Sequence, residues 1–159
     1  KKYALVALFA VVSLGMVFAA TAVPPTEGNI SITGEVKEAF SLKVPGTYSG
    51  TIENGSSEET WKIGDIVVAS NVDGWIIHLE SSNYGYLVHD PENQIAYTVT
   101  LGELAKGVTL GKDGWTSDSQ HRTSKGGNAY PLSVSFGPSS EYYVAGSYSD
   151  LITVTIKHN

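Results

Sequence analysis

Short runs of alternating apolar and polar residues, separated by turn-forming residues, constrain the fold of this chain more than any other feature. In residues 95–101 the large apolar side chains occupy every second position, and residues 40–44, 75–80 and 132–136 repeat the pattern. A period of two places alternate side chains on opposite faces of a strand, whereas an amphipathic helix needs a period of 3.6. Clusters of Gly, Asn, Asp, Ser and Pro separate the runs. The pattern predicts seven or eight short strands in an all-β antiparallel sandwich.

The run over residues 61–68 changes phase at a glycine. Trp61 and Ile63 share one parity before Gly64, and the apolar residues at positions 66 and 68 share the other. A β-bulge adds one residue to a strand, and a glycine inside a strand is a common sign of one. We therefore predict a bulge at Gly64 that returns all four apolar side chains to the core face. Residues 30–36 also alternate and predict a half-buried strand, whereas residues 102–110 have some helical character.

The start of the chain has the pattern of an export signal. Two lysines precede an apolar run over residues 4–20, which ends in an Ala-Thr-Ala tripeptide. A charged start, an apolar stretch and an Ala-x-Ala site form a secretory signal peptide. The alternative is a retained anchor, because the run has the length of the shortest transmembrane helices. We predict a signal peptide over residues 1–22, a linker or N-terminal extension over 23–28, and a single β-sandwich domain over 29–159.

The composition of the chain argues against several classes of function. The 159 residues include no cysteine, and the formal net charge is −6. A chain without cysteine has no disulfide, zinc–thiolate site or thiol nucleophile. Binding of nucleic acid or of an anionic membrane needs clustered Lys and Arg, so we expect neither once the leader is removed. The histidines also lack the spacing of a metal site. We predict no cofactor and no metal; the histidines are His78, His89, His121 and His158.

The sequence also argues against an enzyme. It has no Gly-x-Ser-x-Gly nucleophile elbow and no phosphate-binding glycine loop. A glycosidase needs only two facing carboxylates, but most acidic residues lie in turns or on outward parities. Asp150 is the exception, since it shares the parity of Tyr148 and Ile152. We expect its carboxylate to bond a turn amide at the start of the last strand.

A polar stretch over residues 111–128 carries the clearest candidate for ligand binding. Trp115 lies in this stretch without apolar neighbours, whereas Trp61 and Trp75 lie on apolar parities that predict core positions. Exposed aromatic faces stack on sugar rings, and long loops in compact domains are often functional. One hypothesis is therefore a self-complete exported sandwich that binds carbohydrate or another surface ligand through this loop. Its candidate residues are Trp115, His121 and Arg122.

Two segments resemble the chaperone–usher fimbrial subunits (pilins) and the related spore-coat-U-like secreted domains. Residues 28–39, GNISITGEVKEA, resemble the start of such a pilin, with a glycine, two alternating apolar residues and then Gly-x-Val. Residues 145–156, AGSYSDLITVTI, resemble its end, an Ala-Gly-x-Tyr-x-Asp turn that leads into an alternating last strand. Many pilins have a cysteine pair, whereas this chain has Ser41 near the expected position of the first cysteine and no cysteine anywhere.

The resemblance implies an immunoglobulin-like sandwich that lacks its last strand and is completed by a donor strand from another chain. It implies a donor strand that contains Ile30, Ile32 and Gly34. It implies an acceptor groove formed by Tyr148, Ile152, Val154 and Ile156. If residues 30–36 instead pair within their own chain, the sheet is complete and the protein is a monomer.

Our first hypothesis from the sequence is a non-enzymatic subunit of a secreted, cell-surface fibre exported through the periplasm. The resemblance implies neighbouring copies or related subunits as partners in a head-to-tail fibre, together with a periplasmic chaperone and an usher. The self-complete ligand-binding sandwich is the alternative.

Overall fold

The computed structural model describes residues 28–54 and 57–158, and all regular secondary structure in those ranges is β. None of the described residues belongs to a helix with the length and apolar character needed to cross a membrane. The predicted signal peptide and residues 23–27 lie outside the described ranges. The strands are β1 (Phe40–Lys43), β2 (Glu59–Ser70), β3 (Trp75–Ser81), β4 (Tyr86–Val88), β5 (Gln94–Leu101), β6 (Ala105–Val108), β7 (Trp115–Thr116), β8 (Asn128–Phe136) and β9 (Ile152–His158).

The strands form two antiparallel sheets. The larger sheet has the order β1-β2-β8-β5-β4, with β6 also paired to β5, and the smaller sheet has the order β7-β3-β9. All of these strands lie in the unit formed by residues 36–159. Apolar side chains from both sheets belong to one core cluster, so the sheets pack face to face. The predicted all-β antiparallel sandwich is therefore confirmed.

The core consists of the inward parity of each long strand. On β3 the side chains of Trp75, Ile77 and Leu79 are fully buried, and on β5 those of Val99 and Leu101 are as well. Full burial of one large apolar side chain stabilises a fold by about 1.5–3 kcal/mol. The alternation that predicted these strands therefore also identifies the side chains that hold the two sheets together.

The phase change in β2 is the predicted bulge. The register of β2 against β8 shifts between Lys62 and Gly64, and Gly64 has a φ of +138°, which favours glycine. Trp61, before the bulge, packs against the ring of Phe136 with centroids 4.9 Å apart, and Ile66, after it, is fully buried. Side chains from both sides of the bulge thus meet the same core, as predicted.

The prediction of a half-buried strand over residues 30–36 is wrong. Residues 28–39 contain no strand, and the side chains of Ile30, Ile32 and Val36 are 88%, 90% and 87% exposed. Alternation specifies which side chains share a face, but burial of that face requires a second surface. These residues have the pattern of a strand without the pairing of one.

The stretch from residue 102 to residue 128 is also more extended than its sequence indicated. No helix forms over residues 102–110: a single turn, in which the amide of Leu104 donates to the carbonyl of Leu101, leads into β6, which pairs with β5. The polar segment 111–128 then follows the edge of β3, where it contributes β7 and a bridge between Gln120 and Trp75. Tertiary pairing outweighs the weak local preference of these short segments.

Candidate functional site: an open groove between the sheets

The most distinctive site is an apolar groove between the edge strands of the two sheets. β1 is an edge strand of the larger sheet and β9 is an edge strand of the smaller one, and residues of both line the groove. The groove has a volume of about 530 Å³. The β1 wall consists of Leu42 and of Val44, which directly follows β1, and the β9 wall includes Ile152 and Val154. Other apolar or aromatic residues that line the groove are Trp61, Ile63, Leu87, Tyr97, Leu132 and Val134.

The groove walls expose apolar surface that a closed sandwich would bury. Leu42 and Val44 are 38% and 46% exposed, whereas Leu132 and Val134, which also line the groove, are only 5% exposed. Among the strands that the structure describes, β9 pairs with β3 alone. A strand with one free edge offers N–H and C=O groups to an added strand, and adjacent apolar pockets take its alternate side chains. The arrangement is therefore suited to accept one extended segment.

Two of the four residues predicted for this groove line it, and two do not. Ile152 and Val154 line it, as part of the wall that β9 forms. Ile156 lies further along β9, where it is half-buried against the core and is not one of the residues that line the groove. Tyr148 precedes β9 and lines a separate polar hollow. The β1 wall was not predicted from the sequence, although Leu42 and Val44 stand on the alternating parity that predicted their strand.

A hydrogen-bond cluster adjoins the groove, and two of its members, Tyr97 and Asp150, line it. The carboxylate of Asp150 accepts hydrogen bonds from the hydroxyls of Ser81 and Tyr97. It also accepts them from the backbone amides of Asn83, at 3.0 Å, and Leu151, at 2.8 Å. The expected bond between Asp150 and a turn amide is thus confirmed. Burial, and then the bond to the Asp150 carboxylate, raise the pKa of the Tyr97 hydroxyl, so this hydroxyl stays protonated and donates.

The candidate ligand-binding residues of the 111–128 segment do not meet at one place. Trp115 lies opposite Leu79 near one end of β3 and is half-buried against the core. The backbone carbonyl of His121 accepts a hydrogen bond from the indole of Trp75, at the other end of β3. Four residues of extended strand separate these positions by about 13 Å.

The part of this segment near His121 is hydrogen-bonded to the turn between β2 and β3, which contains Asp73. The amide of Arg122 and the ring of His121 bond the carboxylate of Asp73, and the first of these bonds contributes most to lowering the Asp73 pKa. His121 itself is almost fully exposed. The segment therefore braces the edge of the smaller sheet and does not gather its three candidate residues into one site.

Comparisons with known proteins add little to this geometry. No protein-family model matches the sequence, and no curated protein matches it either. Among solved structures, a chain from a chaperone–usher pilus, solved to explain rod uncoiling, aligns over 88% of this chain and 100% of its own length, with 15% identity and a TM-score of 0.47. At this identity and TM-score the likeness establishes neither a shared family nor a shared function. Within the described residues, no three His, Cys, Asp or Glu side chains are grouped to hold a metal ion.

Proposed function

We propose that this protein is a structural subunit of a secreted surface fibre that polymerises by donor-strand exchange. The observation that carries the proposal is the apolar groove beside the free edge of β9. Large apolar surfaces left open on a soluble domain mark interaction sites, and a free strand edge determines that the partner adds as a strand. The segment that fits this groove is therefore an extended one with alternating apolar side chains.

The chain itself contains a segment of that kind. Ile30 and Ile32 alternate with polar residues and are almost fully exposed, and Gly34 continues the same parity without a side chain. Alternate residues of a strand lie about 6.6–6.8 Å apart, which is also the spacing from Ile152 to Val154 along β9. The segment of one copy can therefore pair with β9 of another copy and place its isoleucines on the groove residues.

Such an arrangement is head to tail. Each copy offers a donor segment and an acceptor groove, two different surfaces, so association need not close into a ring and can continue as a fibre. In this proposal the protein is not an enzyme, works at the cell surface, and depends on a periplasmic chaperone and an usher before it assembles. The chaperone would cover the groove, because a free groove invites aggregation.

The test is the oligomeric state of the purified exported protein, measured by size-exclusion chromatography with light scattering. We expect self-associated species that become monomers when a synthetic peptide of residues 23–36 is added in excess. The matched control is the same peptide with Ile32→Asp, which places a charge against the apolar groove and should not cap the chain. A monomer that ignores the first peptide would show that the sheet is already complete and would refute the proposal.

A further inference from the structure

A second hollow, polar in character, lies next to the groove and shares Trp61 with it. It has a volume of about 370 Å³ and lies between residues 49–54, which follow β1, and residues 143–148, which precede β9. Ligand pockets generally measure about 300–1,000 Å³, so this hollow has the size for one small ring. The residues that matter for its chemistry are Ser49, Thr51, Asn54, Trp61, Tyr143 and Tyr148.

The lining of the hollow combines aromatic rings with neutral polar groups. Hydroxyl and amide groups come from Ser49, Thr51 and Asn54, and rings come from the tryptophan and the two tyrosines. Among the described residues that line it, no side chain is charged at neutral pH. The hollow therefore offers no counter-charge to an ionic ligand. It offers donors and acceptors to a ligand rich in hydroxyls, and apolar ring faces to its C–H groups.

Hydrogen bonds hold the walls in place. The amide of Tyr143 donates to Oδ1 of Asn54 at 2.6 Å, which ties one wall to the other. The hydroxyl of Tyr148 donates to the carbonyl of Val144 at 3.0 Å, which fixes the ring of Tyr148 against its own segment. A site that is ordered before its ligand arrives loses less conformational entropy on binding.

We propose that this hollow binds one neutral sugar ring. The aromatic rings pack against the C–H face of the sugar, and the hydroxyl and amide side chains bond its hydroxyl groups. This function is separate from strand exchange, because it uses the loops beside the groove and not the free edge of β9. It also places carbohydrate recognition away from Trp115, where the sequence alone had suggested it.

Saturation-transfer NMR on the purified protein tests this site. The probes are the methyl glycosides of glucose, galactose, mannose and N-acetylglucosamine, each added alone. We expect saturation transfer to at least one of them, and binding at least about tenfold weaker in Thr51→Leu, which removes a hydroxyl and fills the hollow. The matched control is Thr109→Leu, an exposed threonine between β6 and β7 that lines neither the hollow nor the groove.

The outcomes separate this site from the alternatives. If no glycoside receives saturation, or if Thr51→Leu binds as well as Thr109→Leu, the proposal is overturned. If Trp115→Ala abolishes binding while Thr51→Leu does not, the sugar binds at the 111–128 segment and the hollow is again excluded. Should Thr51→Leu fail to fold, Ser49→Leu makes the same test at another exposed residue that lines the hollow. Thr51 lines the hollow and not the groove, so failure of sugar binding would leave the fibre proposal untouched, and the two results can be distinguished.

Discussion

Removal of the Asp150 carboxylate is the perturbation whose cost can be worked out most directly from the structure. The carboxylate is the acceptor for the hydroxyls of Ser81 and Tyr97, whose residues are only 7% and 3% exposed. In Asp150→Ala both hydroxyls lose this acceptor. A buried donor left without a partner costs about 1–3 kcal/mol, so the two together cost about 2–6 kcal/mol. Domains of this size are stable by only about 5–15 kcal/mol.

Urea unfolding of the wild type and the variant measures this cost, provided that the slope with denaturant stays constant. A double-mutant cycle with Tyr97→Phe then isolates the contact between the two side chains. Tyr97→Phe alone should destabilise the protein by about 1.5–3 kcal/mol, because it removes a hydrogen bond to a charged group. In the Asp150→Ala background the same change should cost nothing or stabilise the protein, since it removes the hydroxyl that Asp150→Ala left unpaired.

The result that would refute this reasoning is additivity. If Tyr97→Phe costs the same in both backgrounds, within about 0.5 kcal/mol, the two side chains are not coupled. A loss below about 1 kcal/mol in Asp150→Ala would equally show that the hydroxyls find other partners. As a control, Glu103→Ala removes an exposed carboxylate that pairs with Lys106 on the surface, and it should leave the free energy of unfolding nearly unchanged because solvent screens the pair.

Three further predictions concern separate parts of the molecule. In the donor peptide, Ile32→Ala removes three carbon groups that the groove would bury, at about 0.8 kcal/mol each, so its binding to the groove should be about 60-fold weaker by titration calorimetry. Equal affinity of the two peptides would contradict strand addition. The hydrogen bond from the Asn93 side chain does most to lower the pKa of Asp90, so this carboxylate stabilises the fold at neutral pH, and the contribution is lost as the pH falls through the lowered pKa. Asp90→Asn should therefore flatten the acid side of a Tm–pH profile. An unchanged profile would show that the pKa of Asp90 is not linked to stability. Gly114 has a φ of +65°, and an added Cβ would overlap the carbonyl oxygen of Leu79, whereas the space around Gly111 is open. The midpoint of thermal unfolding of Gly114→Ala should therefore be well below that of Gly111→Ala, and equal midpoints would contradict this argument.

Local features of the fold could be predicted from the sequence because they depend on backbone geometry over a few residues. The period of two located the long strands, and the phase change at Gly64 located the bulge. The turn at Asp90 is local in the same sense, because the carboxylate of this residue accepts hydrogen bonds from the amides of Glu92 and Asn93. Each of these depends on neighbours in the chain, which the sequence displays directly.

The candidate sites were less predictable, because each is formed by segments far apart in the chain. The β9 wall of the groove was expected from a resemblance at two short segments, but its β1 wall was not. The hollow joins residues 49–54 to residues 143–148, and no local pattern marks such a meeting. Trp115 has the polar neighbours of a loop, yet its pairing opposite Leu79 places it half-buried against the core.

Residues 30–36 show most clearly what cannot be predicted from the sequence alone. Alternation by itself determined that Ile30, Ile32 and Val36 share one side of an extended segment, because side chains of such a segment point alternately to its two sides. Only the tertiary structure decided that this side is left exposed and that, among the described strands, β9 has β3 as its one partner. The physical reason is that periodicity is a property of one segment, whereas burial and pairing require a second surface, and a linear sequence does not state which surface that is.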